Sequence, residues 1–574
     1  MWVSSFARAF EHGGWLSVFA HNFGYPHPAP MAFGLPGALV QAVLLRVAPL
    51  RPTDAYSCMI ILYLALANWG AVRLARQIGL RYRMALVAAA VWLTAPVVWA
   101  HAGYSMLSIG IALMPLYASQ ALRVCTIKDI RLAPLAIEGT VFAAIATLSL
   151  FIDGYTFVMF AIATFILLAF ESFTRARARL KTVLLASAPI CMVGFVVAYA
   201  LYVAYIGHVT LETEPLDFFR GWGADVTMLV MPTKGEFWFW DHIGVSLDRN
   251  DVFYFGDTSV WMTTFSLLIG AFGCLGFGLA RKNRQRAVAF LVIAIVGTYL
   301  SLGPSLKVHS LRPKEDIAAK QFSPLMPATA AVMPTGTAFL SEHVPGFKDM
   351  RASYRWIVLG LLGFWALYAL LIAELDRRNK AWVALVLAAF TVICNLPKHG
   401  VTTPASLAHP EIGRLKLRAP RHWWESLQDI DANLVPSFKR NVREGSVVAF
   451  VPAGNDFLAG YLASEANVKT FNTGGDKNVE IARTGWPADV KALLGSDAQN
   501  APAAIKQVLD AHDADYVIVP FIDLLWDAHE WPPVDEQVTA RRAHWSAALA
   551  QLESDPRLTV SHTPYFAFVS LRGH

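Results

Sequence analysis

The sequence has few cysteines. Its five cysteines show neither the spacing of a metal site nor the pairing of a disulfide framework, and the polar C-terminal region contains none. These spacings argue against zinc and against structural disulfides, and they favour an interpretation as small buried hydrophobic side chains. The cysteines are Cys58, Cys125, Cys191, Cys274 and Cys394.

Recognisable nucleotide and nucleic-acid signals are also missing. No GxGxxG or Walker sequence follows a predicted strand, and Gly474-Gly475-Asp476 indicates only a turn. The net charge is only +6, and the basic residues lie in short turns rather than along one stripe. We therefore expect no nucleic-acid partner.

Charge is scarce and apolar residues are abundant. Charged residues make up 16% of the chain, hydrophobic residues 55%, and the mean hydropathy is +0.43, whereas soluble proteins carry about 25% charged residues. A membrane span needs roughly 20 apolar residues to cross about 30 Å of hydrocarbon. Ten segments meet or nearly meet that length: 56–73, 83–101, 105–123, 133–152, 156–173, 183–205, 258–280, 287–303, 356–375 and 381–397.

Five short clusters of Lys and Arg separate these segments and recur at alternate turns. Positive charge near span ends is retained on the cytoplasmic side. The clusters therefore predict a multi-pass membrane protein whose connections 206–257 and 304–355 and region 398–574 face outward. The clusters are Arg73/Arg76/Arg81/Arg83, Arg123/Lys128/Arg131, Arg175/Arg177/Arg179/Lys181, Arg281/Lys282/Arg284/Arg286 and Arg377/Arg378/Lys380.

The first 55 residues leave two topologies open. Residues 1–20 are interrupted by Gly13-Gly14 and indicate an interfacial helix rather than a signal peptide. Residues 34–50 are apolar but short, so they either span, giving eleven spans, or lie along the outer interface, giving ten. The prolines between Tyr25 and Pro30 favour an interfacial or re-entrant segment.

The region 398–574 is expected to form one soluble, extracytoplasmic α/β domain after the transmembrane domain 56–397. Residues 446–452 and 515–520 read as short buried strands, and 558–561 and 565–571 as a closing strand pair. Residues 501–514 and 540–552 read as amphipathic helices. The predicted fold class is thus a polytopic α-helical membrane protein of 10–11 spans with a C-terminal α/β domain.

This order of features resembles the GT-C fold of polyprenyl-phosphate-sugar-dependent glycosyltransferases, and more narrowly a branch of bacterial membrane proteins that includes the YfhO-like group. The matching stretches are FGYPHPAPMAFGLP at Phe23–Pro36, the proline breaks at Pro96 and Pro115, and VPGFKDMRASYRW at Val344–Trp356. The resemblance covers roughly residues 20–400 and implies sugar transfer at the outer face.

The chain departs from that family near its start. The family's catalytic carboxylate lies in the first outward loop after an N-terminal span, whereas Glu11 is the only acidic residue before Asp54. Three alternatives follow: a span precedes Met1 in a longer protein, another carboxylate serves, or the protein is not a transferase.

Transfer from a lipid phosphate needs a general base for the acceptor hydroxyl, and cations or a divalent metal for the departing phosphate. Three aspartates at predicted outer positions are candidates for the base or the substrate-lining groups. Asp153 is followed by Gly154 and is equally typical of a hairpin turn. Asp241 follows an aromatic run that also suits interface anchoring. Asp257 equally suits a helix N-cap.

Arg351 and Arg355 are the candidates for binding the lipid phosphate. They lie four residues apart at the predicted start of the ninth span, so a helix would place them on one face. Snorkelling at a span end is the alternative interpretation. His101 and Tyr104 at another outer turn are candidates to line the same cavity, and Glu138 lies within a predicted span.

The leading hypothesis is a membrane glycosyltransferase-like protein of cell-envelope polysaccharide or glycolipid assembly. Its partners would be a polyprenyl-phosphate-linked sugar, membrane lipid and a glycan acceptor. In this hypothesis Asp153 or Asp241 is the base, and Arg351 and Arg355 hold the phosphate. The alternative is a non-catalytic lipid or glycan transporter or an envelope assembly factor. The sequence shows no convincing internal repeat of the kind that transporters often have.

Overall fold

The structure is a computed structural model. It describes the chain except residues 15–16, 128–129, 174–176, 208–212, 281–283, 320–322, 399–424, 526, 528–530 and 574. The predictions for Lys128, Arg175, Arg281 and Lys282 lie outside the described residues, as does the first part of the region 398–574. The chain forms two compact units. A helical unit comprises Ile60–Ala204 and Glu212–Leu417, and a strand-containing unit comprises Met1–Met59, Tyr205–Leu211 and Arg418–His574.

Long apolar helices dominate the described residues. Seven of them are long and apolar enough to cross a membrane, and each overlaps one of the ten predicted spans. They are Pro52–Ile78, Ser105–Cys125, Leu132–Ile152, Gly154–Phe173, Leu180–Ile206, Arg284–Ser301 and Ser353–Arg377. The helix Leu180–Ile206 contains a π-helical turn at Val183–Ser187, and Pro115 lies inside Ser105–Cys125 without ending it.

Three predicted spans are shorter than expected. The segment 83–101 forms a helix at Tyr82–Leu93 and a four-residue helix at Pro96–Trp99, because a proline disfavours helical geometry in the residue before it. The segment 258–280 divides into Thr258–Thr263 and Leu267–Leu279, and the segment 381–397 gives Ala381–Asn395. A helix of 13 residues such as Leu267–Leu279 extends only about 20 Å. Seven of the ten predicted segments thus form helices long enough to span a membrane, and these three form shorter apolar helices.

Short elements fill the connections that were predicted to face outward. One two-residue strand pair joins Ser305–Leu306 to Met333–Pro334 in antiparallel register. The remaining elements are short helices or 3₁₀ turns: Ala102–Tyr104, Leu216–Gly221, Val226–Val230, Trp238–His242, Lys314–Ala318, Ala328–Ala330, Ala338–His343 and Ser353–Trp356.

Glycines allow three helices of the helical unit to approach backbone to backbone. A Cβ atom on Gly276 would lie 2.0 Å from the carbonyl oxygen of Leu367, and one on Gly297 would lie 2.1 Å from the nitrogen of Gly360. These separations leave no space for any side chain. Close packing through small residues is typical of helices in lipid, where hydrophobic burial contributes little to association.

The strand-containing unit is built on a five-stranded sheet. The strands are β1 (Val447–Phe450), β2 (Lys469–Thr470), β3 (Tyr516–Pro520), β4 (Leu558–His562) and β5 (Phe566–Leu571). Their spatial order is β2-β1-β3-β5-β4, with parallel pairing among β2, β1 and β3 and antiparallel pairing among β3, β5 and β4. The predicted strands 446–452, 515–520, 558–561 and 565–571 correspond to β1, β3, β4 and β5.

Helices accompany the sheet in this unit. They are Val435–Lys439, Phe457–Ala466, Asp476–Gly485, Ala488–Leu494, Ala501–Asp510 and Asp535–Glu553, with a π-helical turn at Ile430–Leu434. The predicted helices 501–514 and 540–552 overlap two of them. The buried residues of β1, β3 and β5 form one continuous hydrophobic core with these helices.

The N-terminal segment belongs to the strand-containing unit, which the sequence analysis did not anticipate. The helix Trp2–His12 packs its buried face against the helices Leu35–Val47 and Phe457–Ala466. Arg8 forms an ion pair of 2.6 Å with Glu465, which lies in the last of these helices. The predicted domain boundaries at residues 55 and 398 therefore assign to separate domains two segments that pack together in one unit.

The segment after the first helix continues the sheet at its edge. The backbone nitrogen of Thr470 in β2 donates to the carbonyl of Asn22 at 2.8 Å, and the nitrogen of Tyr25 donates to the carbonyl of Thr470 at 3.0 Å. These two hydrogen bonds give part of the edge strand a partner from the opposite end of the sequence. Backbone groups at a sheet edge would otherwise be left unpaired.

Candidate functional site

Asp153 occupies the junction of two apolar helices. It follows the helix Leu132–Ile152 in an extended conformation, and the helix Gly154–Phe173 begins at the next residue. Its carboxylate accepts a hydrogen bond of 2.9 Å from the backbone nitrogen of Thr156. Asp153 therefore lies at a helix boundary, where it caps the start of the second helix, and this geometry fixes the carboxylate at one end of both helices.

Arg355 lies among three tyrosine rings. It is part of the 3₁₀ turn Ser353–Trp356, and its guanidinium carbon lies 5.0 Å from the ring centre of Tyr155, 5.7 Å from Tyr354 and 5.8 Å from Tyr104. The Nε atom donates to the Tyr354 hydroxyl at 3.2 Å. Aromatic faces attract a cation without neutralising its charge, so this half-buried guanidinium keeps its capacity to bind an anion.

The charges of Asp153 and Arg355 interact at a distance rather than as an ion pair. Within the part of the chain that the structure describes, no nitrogen of Arg355 lies within 4.0 Å of the Asp153 carboxylate. Burial raises the pKa of Asp153, while the hydrogen bonds from Thr156 and the charge of Arg355 partly oppose that shift. The site thus holds a carboxyl group and a guanidinium group that do not form an ion pair with each other.

His101 is buried beside this pair and presents one unused nitrogen. Its Nδ1 atom lies 2.7 Å from the carbonyl oxygen of Val97, and because a carbonyl only accepts, Nδ1 must carry the proton. Burial lowers the pKa of His101 to about 3, so the ring is neutral and its Nε2 atom is an unprotonated acceptor. Nε2 has no hydrogen-bond partner among the described residues.

Stacking connects His101 to the arginine. The His101 ring lies parallel to the Tyr354 ring, with a centroid separation of 5.8 Å. Tyr104 is more than half exposed, and its ring centre lies 5.8 Å from the guanidinium carbon of Arg355. The structure therefore brings together four of the predicted residues, Asp153, Arg355, His101 and Tyr104; we call them, with Tyr155 and Tyr354, the Asp153–Arg355 cluster.

Tyr155 and Tyr354 were missed by the sequence analysis. The Tyr155 hydroxyl accepts a 2.8 Å hydrogen bond from the backbone nitrogen of Ala352, which fixes the turn that carries Arg355. Tyr354 directly precedes Arg355 in the sequence and Tyr155 lies two residues after Asp153, but this proximity alone does not separate them from the other aromatic residues. Tyrosine faces beside polar groups are suited to contacting a sugar ring.

Asp241 has a different set of partners. It lies in the short helix Trp238–His242, where its carboxylate forms an ion pair of 2.7 Å with Lys398 and accepts a 2.9 Å hydrogen bond from the nitrogen of Gly235. The indole of Trp238 donates to the carbonyl of Ile393 at 3.0 Å. These bonds fasten the loop to the end of the helix Ala381–Asn395.

Arg351 does not share a helix face with Arg355, so that geometric prediction is wrong. The regular helix begins only at Ile357, and Ala352 has the non-helical angles φ −89° and ψ 80°. Arg351 forms an ion pair of 2.8 Å with Glu214, and its guanidinium lies 5.7 Å from the ring centre of Phe218. The predicted arginine pair is divided between two environments.

Asp257 is the N-cap of the helix Thr258–Thr263, which confirms the simpler interpretation. Its carboxylate accepts a hydrogen bond of 2.9 Å from the nitrogen of Ser259 and another from the Ser259 hydroxyl. The residue is exposed. An N-cap carboxylate satisfies helix donors that would otherwise lack partners.

The ligands for a divalent metal are not assembled at the described residues. There, no group of three or more His, Cys, Asp and Glu side chains is arranged to hold a metal ion. Asp153 is the single carboxylate of the Asp153–Arg355 cluster, and the one imidazole beside it is on a buried side chain. The cation that the cluster itself offers to a phosphate is therefore Arg355.

Comparisons with known proteins do not identify a family for the chain. No known family model matches the chain, and no characterised protein compared with it shows significant similarity.

Proposed function

We propose that the chain is a membrane glycosyltransferase-like protein that takes a sugar from a polyprenyl-phosphate donor at the outer face of the bacterial inner membrane. The acceptor would be an envelope glycan or lipid. The observation that carries this proposal is the Asp153–Arg355 cluster, in which a base and an anion-binding group share one aromatic-walled site. The site lies at the ends of apolar helices, where a lipid headgroup would be presented.

In the proposed reaction the Asp153 carboxylate accepts the proton of the acceptor hydroxyl. That oxygen attacks the anomeric carbon of the donor, and the bond between this carbon and the phosphate oxygen breaks. The lipid phosphate leaves with the bonding electrons, and the Arg355 guanidinium stabilises its charge. The raised pKa of Asp153 makes the carboxylate a better proton acceptor than an exposed aspartate.

The tyrosines and His101 would position the sugar. Tyr104 and Tyr155 would offer ring faces beside Arg355, and the buried His101 would support the site through its stacking on Tyr354. Arg351 stays a secondary phosphate candidate, because its ion pair with Glu214 would have to open before it could bind a second anion.

A non-catalytic role is the second candidate. A cation held by aromatic rings can bind a lipid phosphate without any bond being broken. In that case the protein would be a lipid or glycan transporter or an envelope assembly factor. It would need Arg355 but would not need Asp153 as a base.

Binding and turnover of a short-chain donor distinguish these proposals. The full chain in detergent micelles would be titrated with citronellyl phosphate, and citronellyl phosphoryl sugars would be assayed for release of citronellyl phosphate. We expect R355Q to weaken citronellyl phosphate binding roughly tenfold or more, since a charged hydrogen bond contributes about 1.5–3 kcal/mol. The matched variant R351Q should weaken it far less.

The outcomes separate cleanly. Binding that needs Arg355 without release from any of the sugars favours the non-catalytic role. Equal binding by the native chain and R355Q contradicts both proposals for this cluster.

A further inference from the structure

Three arginines line an open cavity elsewhere in the helical unit. The cavity has a volume of about 490 Å³, within the range of about 300–1,000 Å³ that is typical of small-ligand sites. It lies between the helices Pro52–Ile78, Tyr82–Leu93 and Ser105–Cys125. We call it the arginine pocket, and its lining residues are Trp69, Val72, Arg73, Arg76, Gln77, Tyr82 and Arg123.

The positive charge of the arginine pocket exceeds the negative charge that faces it. Glu138 is the carboxylate beside the pocket, and both of its oxygens are occupied. One oxygen pairs with Arg123 at 2.5 Å, and the other accepts a hydrogen bond of 3.0 Å from Gln120. Among the described residues that contact the lining of the pocket, Glu138 is thus the carboxylate paired with one of its three guanidinium groups.

The other two arginines have weaker partners. Arg73 donates at 2.7 Å to the amide oxygen of Gln120, which is uncharged, and its charge is repelled by that of Arg123. Arg76 is exposed, and among the described residues it has no ion pair. An anion in the pocket would relieve this repulsion and accept hydrogen bonds from guanidinium groups that form few of them with the described residues.

The rim of the pocket is aromatic. Trp69 and Tyr82 are 53% and 57% exposed, and the Arg73 guanidinium lies 5.4 Å from the ring centre of Trp69. Trp and Tyr are enriched at the depth where lipid headgroups meet acyl chains. Exposed aromatic rings beside arginines at the ends of apolar helices therefore match a headgroup with its chains attached better than a soluble anion.

We propose that the arginine pocket binds the phosphate group of an anionic ligand, with a phospholipid headgroup as its source. Arg76 and Arg73 would hold the phosphate oxygens, and Trp69 and Tyr82 would contact the glycerol and the first part of the acyl chains. Basic pockets between helices bind such headgroups through the same chemistry. This site shares no residue with the Asp153–Arg355 cluster, so the two proposals can fail separately.

Lipid binding by the purified full chain tests the proposal. The protein in micelles that contain only phosphatidylcholine would receive phosphatidylglycerol or cardiolipin, and bound lipid would be counted by native mass spectrometry. We expect retention of anionic lipid by the native chain and a loss of affinity of roughly fivefold or more in R76Q, since each basic residue contributes about 1 kcal/mol. R76K should lose less, because it keeps the charge.

Arg83→Gln is the matched control. Arg83 is also exposed, lies in the same predicted basic cluster and does not line the pocket. Equal retention of phosphatidylcholine and phosphatidylglycerol, or equal weakening by R83Q and R76Q, would overturn the proposal. Inorganic phosphate forms the second arm. Stabilisation of the native chain by phosphate without any anionic-lipid preference would keep the phosphate site and overturn its assignment to a lipid.

Discussion

Asp153 and Asp241 were predicted for the same role, yet the structure gives them opposite surroundings. Asp241 forms an ion pair with Lys398 at 2.7 Å and joins a loop to a helix end. Among the described residues Asp153 forms no ion pair. Arg355, which lies beside Tyr155, attracts the Asp153 carboxylate only at longer range. Asp241 thus joins two elements through its ion pair, whereas Asp153 forms no such link among the described residues. The following experiments test whether that contrast is functional.

Removal of the two carboxylates one at a time should give the largest effect. We expect D153N to lower the rate of citronellyl phosphate release at least about a hundredfold, since a general base contributes 10²–10⁴. D241N should keep most of that rate once the amount of folded protein is normalised. Equal losses of rate in both variants would show that the two aspartates do not differ in function.

Loss of the ion pair between Asp241 and Lys398 should lower the free energy of unfolding. We expect D241N to lower the free energy of unfolding by about 1–3 kcal/mol, because it leaves Lys398 without its ion partner, and partial exposure limits the cost. Thermal denaturation of D241N, K398M and the double variant forms a mutant cycle. The double variant should lose less than the sum of the single variants. Additive losses would show that the pair is not coupled.

Lys307 is a buried lysine whose hydrogen-bond partners are backbone carbonyls rather than a carboxylate. Lys307 donates to the carbonyls of Arg220 and Gly223 at 2.5 and 2.6 Å, and burial lowers the pKa of Lys307 to about 7. Between pH 7 and 10 the unfolded chain therefore binds more protons at this residue than the folded chain. Stability should rise with pH in that window, by up to about 1.4 kcal/mol per pH unit.

Substitution isolates that contribution. The pH slope attributable to Lys307 should disappear in K307M and persist in K234M, since Lys234 is exposed. Denaturation midpoints measured across the window provide the comparison. An unchanged slope in K307M would show that Lys307 titrates normally.

The smallest effect is expected at Asp257, a carboxylate with a local structural role. D257A should cost about 1 kcal/mol of stability through loss of the N-cap, and D257N should cost almost nothing because asparagine caps equally well. Citronellyl phosphate release per folded molecule should match the native chain in both variants. A loss of that rate in D257N would return Asp257 to the candidate catalytic residues.

The apolar helices were predictable because their signal is local. Seven predicted spans correspond to long helices, since a run of apolar residues defines a helix without reference to the rest of the chain. The three predicted spans that form shorter helices are interrupted or shortened locally. Pro96 is the clearest of these interruptions. The membership of Trp2–His12 in the strand-containing unit was not predictable, because its partner Glu465 lies more than 450 residues away.

The same distinction applies to the candidate site. Asp153, His101 and Arg355 were recognisable as polar residues at the ends of apolar segments. Their grouping depends on contacts between separate helices, and so does the pairing of Asp241 with Lys398 across 157 positions. Tyr155 and Tyr354 were not distinguishable among the many aromatic residues, which form 12% of the chain.

The joining of the N-terminal helix to the C-terminal sheet has a consequence for biosynthesis. Ribosomes make the helix Trp2–His12 several hundred residues before the strands it accompanies, a delay on the order of tens of seconds. During that time Phe6 and Phe10, both fully covered in the finished structure, lack the partner Phe457–Ala466. The strand-containing unit can therefore close only after the intervening helices and the helix Phe457–Ala466 have been translated.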